Sequence, residues 1–119
     1  MNNSISLQQA IDMTTRFRSQ KDNVIDPAYA GENILLRCET FDRDIFDAIL
    51  GQPGCVKMRI YSGMNEQLQV KAVIVGVDDK DKDMLPSLTE SGITDEEYFI
   101  GEEGQSCPPI CPPPSHLNP

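Results

Sequence analysis

The reactive groups of this sequence gather at its end. Cys107-Pro-Pro-Ile-Cys111 is followed by Pro-Pro-Pro-Ser and by the sole histidine, His116. Two thiols and an imidazole in C-x3-C-x4-H spacing offer three soft ligands, one fewer than a structural zinc site takes. Held as polyproline II at 3.1 Å per residue, the two sulfurs would start roughly 12 Å apart. That exceeds the ~7 Å limit on the Cα separation of a disulfide. A turn with Pro109 second and Ile110 third would bring them together, since proline suits that place. Cys38 and Cys55 read as small apolar residues near the core. The four cysteines together read as free thiols rather than a disulfide framework. A thiol or metal site would rest on Cys107 and Cys111, with Cys38, Cys55 or His116 as further members.

Elsewhere the search for chemistry comes back nearly empty. From Asp79, acids stand at positions 1, 3 and 5, Ser87 at 9 and Glu90 at 12, close to a calcium-binding EF-hand loop. Met84 replaces the glycine required at position 6, Pro86 occupies position 8, and a strand pattern precedes the loop instead of a helix. The segment therefore reads as a solvated loop after a buried strand. A lone histidine on a proline-rich tail is not held beside a nucleophile as a triad demands. Gly101-Glu-Glu-Gly104 would repel phosphate. Neither an enzyme nor a cofactor is expected.

Charge divides the chain. Residues 1–77 carry nine acids and eight bases, whereas residues 78–119 carry ten acids with only Lys80 and Lys82, so nearly all of the net charge of −9 lies in the last third. Such an arm repels a phosphate backbone, which argues against nucleic acid as partner. No apolar run approaches eighteen residues, so no membrane partner is expected either. Met1-Asn-Asn-Ser-Ile-Ser lacks both a basic region and an apolar stretch, so a cytoplasmic location is expected rather than secretion. Lys57, Arg59 and Lys71 should share a polar sheet face able to dock the acidic arm of this chain or of a partner. The bland alternative is an ordinary solvated face.

These groups need elements to position them, and 119 residues with six per cent aromatics and no Trp imply one aliphatic core. Its largest pieces would be Phe17, Phe41, Phe46 and Tyr61. Leu7, Ala10, Ile11, Thr14 and Phe17 fall on one helical face over residues 7–19, and Ser6 with Gln9 forms a capping-box pattern. Asp26-Pro27 reads as an N-cap and first helical position, and residues 20–40 lean towards helix. Asp42 caps a second amphipathic helix, with Ile45, Phe46, Ile49 and Leu50 inward and Phe41 stapled to Phe46. Gly51 and Pro53 end it. Val56, Met58 and Ile60 then alternate with polar residues in a first strand. A turn at 62–66 leads to a second strand, 68–77, apolar on both faces at its end and so central. A short helix or third strand starts near Thr94.

The ordered set Phe41-Asp42-x3-Phe46-Asp47-x-Ile49-Leu50, Pro53-Gly-Cys55-Val56, Arg59-Ile60-Tyr61, Ala72-Val-Ile-Val-Gly-Val77 and Cys107-Pro-Pro-x-Cys-Pro resembles a family of small bacterial proteins. The resemblance covers about residues 41–77 and the tail. It implies a bacterial, cytoplasmic origin and carries over no activity.

The expected architecture is α+β: a small antiparallel sheet built on a hairpin, packed against two or three helices. Residues 1–100 would form the domain and 101–119 an extended acidic, proline-rich tail. The leading functional expectation is an interaction module that binds a protein partner or itself, with Lys57, Arg59, Lys71 and Ile110 as contact residues. The alternative is a thiol- or metal-binding protein using Cys107, Cys111 and His116. A further possibility is that a modifying enzyme acts on the tail.

Overall fold

The computed structural model describes residues 3–86 and 98–119, together with the backbone of 88–89 and 92–93. It shows an α+β fold. Helix α1 spans Leu7–Gln20, and both capping-box bonds form, Gln9 N–H to Ser6 Oγ at 3.1 Å and Ser6 N–H to Gln9 Oε1 at 2.8 Å. Ala10, Ile11, Thr14 and Phe17 are half-buried, as their spacing predicts, while Leu7 stays exposed. A 3-10 turn, Pro27–Tyr29, starts on Asp26, whose carboxylate accepts the Ala28 N–H. The expected helix across 20–40 goes no further. Instead Ile34 accepts the Val70 N–H at 2.8 Å, and Cys38–Thr40 forms strand β1. Three apolar residues in a row carry no period, and pairing with a distant strand decides their conformation.

Helix α2 spans Arg43–Leu50 and packs on the sheet through Ile49, which is fully buried. The Phe41 and Phe46 rings meet edge to face with centroids 5.8 Å apart, completing the staple. Strands β2, Lys57–Met64, and β3, Val70–Val77, pair antiparallel from Lys57↔Val77 to Met64↔Val70. The turn therefore lies at Asn65–Gln69 rather than at 62–66. Gly63 belongs to the ladder because the strands close tightly there; a Cβ would sit 2.9 Å from Val73 Cγ2. Asn65 closes the turn by accepting the Gln69 N–H on its side chain.

Strand β3 is central, as its apolar run predicts. Its far edge pairs with β4, Asp83–Met84, and with β7, Ile100–Gly101. Between these, β5, Leu88–Thr89, pairs with β6, Gly92–Ile93. The capping-box pattern at Thr94 lies outside the described residues. The last strand, β8, Gln105–Cys107, returns to pair with β1, 38–40. The core is aliphatic: Ile34, Ile49, Ile74, Val75, Val77 and Met84 with Cys107.

Three packing expectations need correction. Leu50, expected inward on α2, is exposed. Tyr61, Val56 and Ile60 are exposed, Ile60 at 64%. An eight-residue helix is only about 12 Å long; α2 packs over Gly76 and Gly101 and leaves Ile60 open at the sheet edge, whereas Tyr61 lies on the opposite face, against Asp83, and Val56 precedes β2. Nor does α1 cover the hairpin. Its half-buried face lies beside residues 36–38 and the C-terminal segment.

Candidate functional site

Residues 101–119 do not hang free of the domain. Gly101 is buried beside Ile45, Ile74 and Ile49. Gly104 is also buried, and a Cβ there would lie 2.7 Å from the Phe41 ring. Next, β8 joins β1 in register Cys38↔Cys107, Glu39↔Ser106 and Thr40↔Gln105. Lys71 pins this corner to the main sheet. Its ammonium, on a residue only 8% exposed, donates to Gly104 O at 2.9 Å and Ser106 Oγ at 2.6 Å, with Glu39 Oε1 at 3.5 Å. A buried ammonium needs such partners, because an unpaired one would be costly.

Beyond β8 the chain turns at once. Cys107 and Cys111 are joined in a disulfide with Cα atoms 4.5 Å apart, and the Ile110 N–H returns to Ser106 O at 2.8 Å. The peptide bonds before Pro108 and Pro109 are cis. The expectation of free thiols fails for this pair, because the chain turns here rather than running on as polyproline II. Neither sulfur is then open to a metal. His116 is exposed in a terminal turn between Ser115 and Asn118. Among the described residues, no cluster of three or more acids, cysteines or histidines could hold a metal ion.

Ile110 stands at the outer end of the five-residue ring and is 57% exposed. The described residues leave more than half of it open. Further on, the tail is tied to α1: Arg18 Nη1 donates to Leu117 O at 2.7 Å. A groove of about 390 Å³ opens between them, lined among others by Phe17, Leu36, Arg37, Cys38 and Pro112. Cys38 and Cys55 are free and half-buried, and Cys55 Sγ lies 3.2 Å from Lys57 O.

By register Lys57, Arg59 and Lys71 do lie on one face of the hairpin. Their acidic partners, however, are Asp81, Asp83 and Glu39, not Glu102 or Glu103. The loop after β3 explains this. Asp78 closes it by accepting the Lys80 and Lys82 N–H groups, and Asp81 takes a positive φ of 65°. Asp81 and Asp83 then face Arg59 across β3, and Asp83 also accepts from the Tyr61 hydroxyl. Tyr61 and then Arg59 hold the Asp83 carboxyl below the usual range, against burial. The same bond raises the Tyr61 phenol, with burial adding to it. Asp78 is lowered by the Lys82 and Lys80 N–H groups, again against burial. Two acids of the would-be calcium loop, Asp81 and Asp83, are thus committed to cations and the Tyr61 hydroxyl, while Ser87 and Glu90 lie outside the described residues.

The sequence did not single out Glu39 and Ser106, which complete the Lys71 cluster. Nor did it place Cys38 opposite Cys107. No signal in a three-residue strand foretells such a partner. Among the described residues no helix is long and apolar enough to cross a membrane. No family model, curated protein or solved structure matches this chain.

Proposed function

We propose that this protein is a non-enzymatic interaction module whose binding element is the ring Cys107–Cys111. The carrying observation is that an apolar side chain, Ile110, is exposed at the end of a short disulfide-closed loop anchored through β8. Closing a loop removes in advance the ordering cost that a partner would otherwise meet on binding. The acidic residues that precede β8, Glu102 and Glu103, are exposed and favour a partner with basic groups beside an apolar pocket. That partner is another protein or a second copy of this chain, rather than nucleic acid or membrane. Lys57 and Arg59 are secondary contact residues, because Asp81 and Asp83 already engage them. The bacterial proteins that the motifs resemble add a cytoplasmic location, where a disulfide is held transiently.

A photo-crosslinking residue at position 110 of the full chain tests this in the native host. The reading predicts one discrete adduct, lost when Glu102 and Glu103 become Lys and weakened when the ring is reduced. Absence of an adduct, or one indifferent to both changes, would refute it. Adduct mass separates self-association from a different partner.

A further inference from the structure

The pairing of β1 with β8 brings three cysteines to one place in the fold. Cys38 and Cys107 are directly opposed in an antiparallel register, and Cys107 is bonded to Cys111. Opposed residues point to the same side of a sheet with Cβ atoms about 4.5–5.5 Å apart. A disulfide needs about 3.5–4.5 Å, so a small shift would let Cys38 bond to Cys107.

We propose that Cys38, Cys107 and Cys111 form a thiol–disulfide exchange site that opens and closes the terminal ring. Cys38 loses its proton to solvent, which reaches it through the groove it lines beside Arg37 and Pro112. Its thiolate attacks the Cys107 sulfur. The Cys38–Cys107 bond forms, the Cys107–Cys111 bond breaks, and Cys111 leaves as a thiolate that takes up a proton. One thiol is consumed and one is produced, so no external oxidant or reductant is required.

Exposure gives this step its direction. Cys107 is 0% exposed, Cys38 is half-buried and Cys111 is exposed. A thiol from solvent can reach only Cys111, and its attack would expel the Cys107 thiolate into a buried position, which desolvation disfavours. Attack by Cys38 on Cys107 instead expels Cys111 into water. The internal thiol is therefore better placed than an external one to open the ring. Cys55 has no such placement: it sits before β2 with its sulfur against Lys57 O and lies near Gly76.

Exchange would switch the binding loop between a closed ring and an open segment ending in a free thiol. This deepens the proposed function, yet its test needs no binding partner, so failure of either can be told from failure of the other. The oxidised full chain is incubated with N-ethylmaleimide in native buffer, digested without reduction and mapped by mass spectrometry. The expected result is a population with Cys111 alkylated and Cys38 linked to Cys107. Cys38→Ser should abolish labelling of Cys111, and Cys55→Ser should leave it unchanged. An unlabelled Cys111 in the native chain, or equal labelling in Cys38→Ser, overturns the proposal. A second variant bears on the same point: Cys111→Ser, mildly oxidised with oxidised glutathione while folded, should yield a Cys38–Cys107 bridge. A Cys55–Cys107 bridge, or a free Cys107, would contradict it.

Discussion

Replacing Lys71 by Met tests whether the C-terminal corner is anchored as described. The substitution keeps a flexible apolar stem of similar length and removes the ammonium. Gly104 O and Ser106 Oγ lose their donor, and Glu39, with a side chain only 12% exposed, loses its cation. Breaking a buried ion pair from one side costs about 3–5 kcal/mol because a charge is left uncompensated. Glu39 keeps two long contacts to the Ala72 N–H at 3.4 Å, which places the expected loss at the low end, about 3 kcal/mol. With an unfolding entropy of about 2.1 cal/mol/K per residue, that lowers the melting temperature by roughly 12 °C. The assay is thermal denaturation, paired with hydrogen exchange at the β8 amides. Adding Glu39→Gln should recover much of the loss, since the stranded charge is then gone. A loss within about 0.5 kcal/mol, the surface range, with β8 protection unchanged, would refute the anchoring.

Gly104→Ala should cost about 1–3 kcal/mol by overpacking, because its Cβ would meet the Phe41 ring at 2.7 Å and Glu39 Cβ at 3.1 Å; a melting temperature equal to that of the native chain would show that ring and glycine are not in contact. Phe46→Ala should cost about 2 kcal/mol, below the ~3–5 of a fully buried ring, because Phe46 is half-buried against Phe41; chemical denaturation reads it, and a neutral effect contradicts the staple. The depressed Asp83 pKa gives a stabilising contribution that is complete above the ordinary aspartate range of about 4. It is lost as pH falls through the lower folded value. Asp83→Asn should therefore flatten the acid limb of the stability–pH curve, and an unchanged limb would count against the Asp83–Tyr61–Arg59 cluster.

How far the fold could be read in advance follows from the range of each interaction. The Ser6–Gln9 box, the Phe41–Phe46 staple and the Asp26 cap are local, and all were legible in the spacing. The buried end of β3 was legible because an apolar run on both faces admits few solutions. What α1 packs against was not, since an amphipathic face tells that a helix is covered but not by what. Lys71 looked like a solvated cation because alternation places it on the polar face; the sequence gives no sign that Glu39 and Ser106 bury it. The Cys107–Cys111 ring is local, and the turn at Pro109 and Ile110 that closes it is legible in the spacing; Cys38 beside Cys107 is not, because the two become neighbours only after β1 and β8 pair.

The central claim is that residues 107–111 form a preorganised loop held to the domain. Backbone 15N relaxation of the full chain, before and after reduction, tests it most directly. The account predicts order parameters near 0.85 at Ser106, Ile110 and Cys111 in the oxidised protein, matching rigid strand amides. After reduction Ile110 and Cys111 should fall below about 0.6 while Ser106, held in β8, stays high. Equal, low values at all three in the oxidised protein would contradict both the anchor and the binding loop built on it.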